Sequence, residues 1–183
     1  MRHDTASTTK EVRARLKQEL GLANEFAVPR IEKVVINTGI GRLVQSAARQ
    51  DEFIKQLSEE LARLTSQVPV VTRAKKSIAS FKTRVGMPLG LKVTLRGKRM
   101  QDFLVRLIHV ALPRSRDFKG LLPEAIDREG NFTLGLREHT IFPEVADAPR
   151  SIGLEITIVT TARDRKIALS LLRAYGFPFK QQE

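Results

Sequence analysis

The chain has 183 residues, 42% of them hydrophobic, so it can bury the core of one domain and wholesale disorder is excluded. It has no cysteine, which excludes disulfides and thiolate metal sites, and no apolar run approaches membrane-spanning length. The net charge is +12, and all of it lies in residues 61–120, where 14 Lys and Arg stand against two acidic residues. Such a one-sided block favours nucleic acid as a partner over a solvated basic surface, which usually interleaves both signs.

The first third of the chain predicts two helices and one strand. Residues 1–9 are small and polar, and we expect a flexible tail without a signal peptide, as in a cytoplasmic protein. Apolar residues at every fourth position predict a helix over 10–20, ended by a glycine. Alternation predicts a strand over 31–37, followed at once by a glycine-rich turn. An apolar stripe predicts a helix over 50–64, with Glu60 away from that stripe.

The central third predicts two strands separated by a long loop. Residues 68–72 are rich in β-branched side chains but contain a proline, which favours a sheet edge or a strand start. Residues 74–88 have weak periodicity, several basic residues, glycine and proline, and predict a long exposed loop, which is usually functional. The clearest strand is predicted over 89–96. Its inward positions are Leu89, Leu91, Val93 and Leu95, and its outward positions are Gly90, Lys92, Thr94 and Arg96.

The last third predicts two more helices and two more strands. A strongly amphipathic helix is expected over 100–111, closed by a proline, and an irregular segment follows. Strands are expected over 131–137 and 154–161, and Asp164 is placed at the N-cap of a last helix. The fold class is therefore predicted as α+β: a two-layer domain over 10–183, with an antiparallel or mixed sheet that has helices on one face and leaves the other open.

Catalysis finds little support in the sequence. His3, His109 and His139 are scattered without metal-ligand spacing, and His109 is expected at the core or its boundary, on the helix over 100–111. The Gly-x-Gly at 39–41 lacks the third glycine of a dinucleotide-binding motif, so a tight turn is the better interpretation. We predict no catalytic residue, no metal, no cofactor and no small-molecule substrate.

Nucleic-acid binding has better support, and the composition indicates its mode. Aromatic residues make up 5% of the chain, with no tryptophan and one tyrosine. Most phenylalanines fall at core positions, with Phe81 as a candidate exception, whereas proteins that stack single-stranded bases need exposed aromatic side chains. This favours recognition of folded RNA through shape, phosphates and 2′-hydroxyls. The pattern alone does not separate RNA from DNA, and a small enzyme or a DNA-binding regulator remain the alternatives.

Several stretches in order closely resemble the bacterial-type large-subunit ribosomal protein five family, which binds 5S rRNA. These stretches lie at 28–37, 72–82, 86–88, 92–97, 111–114, 116–120, 130–135 and 141–144, and the resemblance as a whole runs from about Lys10 to Phe179. The resemblance implies a two-layer α+β protein of the large ribosomal subunit that binds 5S and 23S rRNA. It also implies a loop that reaches P-site tRNA and a bridge to a small-subunit head protein.

Matched residue by residue, the resemblance implies three sets of contacts. The 5S rRNA contacts are Asn37, Gln67, Lys92, Thr94 and Arg96. The tRNA-contact loop carries Arg73, Lys75, Lys76, Ser77, Lys82 and Arg84. The intersubunit bridge falls on Arg114, Arg116 and Lys119, together with the region of Glu144. The match agrees with the residue pattern at two points: Lys92, Thr94 and Arg96 occupy the outward phase of the strand over 89–96, and the tRNA-contact loop lies in the segment that lacks acidic residues.

Overall fold

The structure is a computed structural model that describes residues 5–46, 49–116 and 118–180. Within these ranges it has five main helices and five strands. The helices are α1 (Thr5–Glu19), α2 (Gly41–Ser46), α3 (Gln50–Thr65), α4 (Gly97–Arg106) and α5 (Arg165–Ala174). The strands are β1 (Ile31–Gly39), β2 (Val70–Arg73), β3 (Pro88–Leu95), β4 (Phe132–Leu136) and β5 (Leu154–Thr160).

The strands form one sheet in the order β2-β3-β1-β5-β4. β2 and β3 are antiparallel, with Val70 opposite Lys92. The Ile40 N–H donates to the Leu89 carbonyl at 2.9 Å, which places the end of β1 beside the start of β3. The Thr161 N–H donates to the Arg30 carbonyl, also at 2.9 Å, so the end of β5 lies beside the start of β1. The sheet is antiparallel, and the predicted α+β class is confirmed.

Burial alternates along β1 and over Leu91–Leu95 of β3, as the sequence predicts, but Gly90, predicted to face outward, is buried. In β3, Leu91, Val93 and Leu95 are buried, whereas Lys92 is exposed and Thr94 is half-buried. In β1, Val34 and Ile36 are buried and Asn37 is half-buried. Side chains of successive residues point to opposite faces, so β1 and β3 each have one covered face and one accessible face.

The chain divides into two compact units. Unit 1 holds the described residues of Met1–Val34, Arg96–Leu134 and Thr157–Glu183, and unit 2 holds Val35–Leu95 and Gly135–Ile156. In unit 1, α1 packs against α4 and α5. In unit 2, α2 and α3 pack against β3, and Leu61 of α3 and Leu91 of β3 are buried. The predicted single domain over 10–183 stays a prediction.

Several element boundaries differ from the predictions. Helix α1 begins at Thr5 rather than at residue 10. The pattern did not predict residues 5–9 as helical because they have no apolar period. Met1–Asp4, which include His3, lie outside the described residues. The predicted flexibility of residues 1–9 stays a prediction. The turn expected after β1 is wrong, since the strand runs on to Gly39 and α2 starts at Gly41. Pro88, assigned to the loop, is the first residue of β3.

Helix α4 contains the predicted apolar stripe and continues beyond Arg106. One π-helical turn, Leu107–Ala111, follows it, and a last turn, Leu112–Arg114, ends the segment. The Leu112 N–H donates to the Leu107 carbonyl, which is the i to i−5 bond of a π turn. The stripe is buried as predicted, but His109, expected at the core or its boundary, is exposed.

Candidate nucleic-acid interface

The accessible face of β3 carries the first set of candidate residues. Lys92 is exposed and Thr94 is half-buried on the phase opposite to the core. Gln67, which precedes β2, donates from Nε2 to the Thr94 carbonyl at 3.3 Å, so its side chain is fixed beside β3. Asn37 lies on β1, the neighbour of β3 in the sheet. The structure therefore brings four of the five predicted 5S contacts onto adjacent elements of unit 2.

Arg96, the fifth residue, is the N-cap of α4 and has an extended backbone, with φ −139° and ψ 163°. It is exposed, and its side chain makes no capping hydrogen bond. No acidic residue stands in the first turn of α4, although helix N-termini favour negative charge. Lys98 and Arg99 are also exposed there, so a basic cluster follows directly after β3.

The loop between β2 and β3 is closed by hydrogen bonds at its base. The Ala74 N–H donates to the Met87 carbonyl at 2.8 Å, and the Gly86 N–H donates to the Ala74 carbonyl at 3.0 Å. Arg73 adds a bond from Nη1 to the Gly86 carbonyl at 2.9 Å. Arg73 therefore has a structural role at the base of the loop, which the sequence pattern does not reveal.

A second set of hydrogen bonds orders the tip of the loop. Ile78 and Thr83 exchange two backbone bonds, each of 3.2 Å, around a short 3-10 turn over Ala79–Phe81. Lys82 ends that turn in the left-handed region, with φ +52°. The Ser77 hydroxyl accepts from the Val85 N–H at 3.1 Å, so this predicted contact residue also braces the loop.

The loop is strongly cationic. Four basic side chains on it are exposed, and no acidic residue occurs between Glu60 and Asp102. These side chains are Lys75, Lys76, Lys82 and Arg84. Like charges repel unless an anion neutralises them, so the loop is suited to a polyanion.

Apolar side chains accompany these charges, and sequence reasoning singled out only one of them. Phe81 is 71% exposed, Val85 65% and Ile78 46%. A concavity of about 460 Å³ lies against the loop. It is lined by Ala74, Lys75, Lys76, Ile78, Phe81, Thr83 and Leu89.

The bridge candidates lie in unit 1, at the end of the helical segment that follows α4 and just beyond it. Arg114, Arg116 and Lys119 are exposed, and Asp117 lies outside the described residues. The segment is anchored just beyond Lys119, where the Leu121 N–H donates to the Pro178 carbonyl at 2.8 Å. Arg114, Arg116 and Lys119 thus supply basic surface to unit 1, whereas the loop candidates belong to unit 2.

A buried hydrogen-bonded pair lies inside unit 2. His139 Nε2 is 3.3 Å from Glu60 Oε2, and both side chains are almost fully buried. His139 Nδ1 accepts from the Ile152 N–H at 3.2 Å, which makes Nε2–H the donor to Glu60. Burial lowers the pKa of His139, although the nearby carboxylate opposes this shift. The expectation that Glu60 lies away from the buried stripe is wrong, because this pairing satisfies its carboxyl group inside the core.

This pair does not constitute a catalytic site, because His139 is 0% exposed and no substrate can reach it. Among the described residues, no group of three or more His, Asp or Glu side chains could hold a metal ion. No helix of the described part of the chain has both the length and the apolar character needed to cross a membrane.

Comparisons with known proteins match almost the whole chain. The family model for the C-terminus of the ribosomal L5 family matches residues 88–179, and the model for ribosomal protein L5 matches residues 24–84. The large ribosomal subunit protein uL5 of Acidobacterium capsulatum is 51% identical over 174 residues, which cover 94% of this chain and 93% of the relative. The uL5 proteins of Thermosipho melanesiensis and Thermus aquaticus are each 50% identical over 175 residues, covering 93–94% of both chains.

Proposed function

This chain belongs to the ribosomal protein L5 family and is a non-enzymatic structural constituent of the large ribosomal subunit; from this premise we propose a division of RNA-binding work between two surfaces of unit 2. The accessible face of β3 and its neighbours, with Asn37, Gln67, Lys92 and Thr94, binds 5S rRNA, and Arg96 of unit 1 is a further contact to this RNA. The basic loop between β2 and β3 contacts P-site tRNA. In the cytoplasmic ribosome the chain also contacts 23S rRNA.

One observation carries the proposal: a hydrogen-bonded loop presents four exposed cations in a stretch without acidic residues. A loop held in one shape loses little conformational freedom on binding, so more of its interaction energy appears as affinity. RNA phosphates supply the negative charge that such a loop needs, and each neutralised phosphate steepens the salt dependence of binding.

The sheet face suits a different kind of contact from that of the loop. It offers hydroxyl and amide groups from Thr94 and Asn37 beside the charge of Lys92. Folded RNA presents 2′-hydroxyls and phosphates across a wide, shallow minor groove, which such groups can contact without inserting a helix. This favours 5S rRNA binding by shape rather than by base sequence.

The bridge to a small-subunit head protein is assigned to Arg114, Arg116 and Lys119. Their charges are exposed and belong to unit 1, whereas the loop assigned to tRNA belongs to unit 2. The assignment requires an acidic partner surface, because exposed cations contribute most to association when the facing potential is negative.

Salt-titrated binding of the full chain to 5S rRNA, to a structured RNA of equal length and to duplex DNA tests the first assignment. We expect binding that survives moderate salt for 5S rRNA alone. Equal affinities that fall together with salt would identify a generic polyanion binder and refute the 5S site.

The loop assignment is tested with the double variant Lys75→Ala/Lys76→Ala. It should leave 5S affinity nearly unchanged while weakening tRNA binding, with the log–log salt slope for tRNA reduced by about 0.7–0.9 per lost phosphate contact. Lys55→Ala is the matched control, because Lys55 is an exposed lysine of unit 2 outside the loop. An equal loss of 5S affinity in the double variant would overturn the division between the two surfaces.

A further inference from the structure

A purely electrostatic contact between the loop and RNA would not require the exposed apolar side chains of the loop. Single exposed hydrophobic residues are common on protein surfaces, but here Ile78, Phe81 and Val85 lie in one short loop. Ile78 and Phe81 line the same concavity. The backbone bonds between Ile78 and Thr83 hold this part of the loop in one conformation, and in that conformation these side chains are exposed.

The concavity combines an apolar lining with a cationic rim. Ala74, Ile78, Phe81 and Leu89 supply apolar surface, and Lys75 and Lys76 also line it. Because lysine buries its aliphatic stem and keeps its ammonium group in water, the two lysines extend the apolar wall and place charge at the opening. Its volume of about 460 Å³ falls within the range of small-ligand sites, roughly 300–1,000 Å³.

This combination indicates a ligand that is flat and apolar at one end and anionic at the other. A nucleotide has that form, since its base has apolar π faces and its phosphate is charged. Phe81 is the aromatic residue of the lining, and base–aromatic stacking is tolerant of sequence because every base has a π face. A duplex keeps its bases stacked inside, so only an unstacked base, or one at an exposed end of a stack, can enter.

We propose that this concavity is a nucleobase site, in which Phe81 stacks on an exposed base of the RNA that the loop contacts. The proposal rests on the proposed contact of the loop with tRNA and adds an uncharged component to it. Lys75 and Lys76 then neutralise the phosphate next to that base. The site makes the loop selective for folded RNA with an exposed base over uninterrupted duplex.

The first test is the variant Phe81→Leu in the full chain, titrated with a tRNA transcript. Loss of base stacking corresponds to a decrease in affinity of about 5-fold or more. The salt slope should stay unchanged because no charge is removed. Phe26→Leu is the matched control, since Phe26 is 96% exposed and lies outside the loop. An RNA duplex of equal length should bind wild type and Phe81→Leu equally.

The second test uses the variant Phe81→Trp, which introduces a single tryptophan into a chain that has none. Affinity for tRNA should be retained, because an aromatic ring remains. The tryptophan fluorescence should be quenched on addition of tRNA, as expected for a ring stacked on a base. Phe26→Trp should show no comparable quenching.

The outcomes separate this proposal from the proposed function. If Lys75→Ala/Lys76→Ala weakens tRNA binding but Phe81→Leu does not, and Phe81→Trp is not quenched, the nucleobase site is wrong and the tRNA contact stands. If the lysine variant binds tRNA as tightly as wild type, the tRNA contact of the loop fails, and the occupant named here fails with it. Equal losses in Phe81→Leu and Phe26→Leu would also overturn the site.

Discussion

The buried pair of His139 and Glu60 predicts a large and specific loss of stability on substitution. His139→Leu replaces the imidazole with an apolar side chain of similar size. It removes the donor to Glu60 Oε2 and the acceptor for the Ile152 N–H. The carboxyl group of Glu60 then stays buried with only the hydrogen bond from Gln56 Nε2, at 3.2 Å. Leaving the Ile152 N–H and the Glu60 carboxyl group without these partners costs about 1–3 kcal/mol for each group, or roughly 4 kcal/mol together at the middle of that range.

Urea denaturation measures this cost. With a denaturant slope of about 1–3 kcal/mol/M, the unfolding midpoint should fall by at least about 1 M. The double variant Glu60→Leu/His139→Leu is the control, because replacing both partners with apolar side chains leaves no buried carboxyl group without its donor. It should therefore be more stable than His139→Leu alone. A loss below about 1 kcal/mol in the single variant, or a strictly additive double variant, would refute the reasoning.

Three further predictions concern pH, packing and binding. Burial lowers the pKa of His139 in the folded chain, so the unfolded chain takes up this proton first. The free energy of unfolding should therefore fall as the pH drops from the unfolded pKa of 6.5 towards the lower pKa of the folded chain. Denaturation curves above and below pH 6.5 should show this fall in wild type, and His139→Leu should lack the part of it that comes from His139. Gly90→Ala should destabilise the folded chain by about 1–3 kcal/mol, because a Cβ there would lie 2.7 Å from the Thr38 carbonyl oxygen. Gly135→Ala is the control, since a Cβ at Gly135 meets nothing within 4 Å, and melting curves compare the two variants. Thr94→Val should weaken 5S rRNA binding by about 1–3 kcal/mol through loss of a polar contact, and an unchanged filter-binding isotherm would place the 5S site elsewhere.

Regular elements were predictable because their period is local. The alternation of Leu91, Val93 and Leu95 with Lys92 and Thr94 places one phase in the core, and burial follows it. The apolar stripe of α4 is likewise buried, since a period of 3.6 identifies one helix face. Helix α2 was not predicted, because its six residues are too few to show a helical period of apolar side chains.

Features that depend on distant partners were not predictable from the pattern. Glu60 looks like a residue of the polar helix face, and its burial depends on His139, which is 79 positions away. The role of Arg73 depends on the carbonyl of Gly86, across the loop. Of the candidate site, the pattern identifies the basic loop and the outward phase of β3, while the concavity arises from backbone bonds that no local period encodes.

Lys82 at the tip of the loop shows a compromise between chemistry and backbone preference. Its φ of +52° is a conformation that glycine adopts freely and that costs other residues about 1–2 kcal/mol. Glycine at this position would relax the turn but would leave the tip of the loop without this charge. The loop therefore keeps a cation at its tip at some cost in local backbone stability, which is the kind of strain found more often at binding sites than at positions that only support a fold.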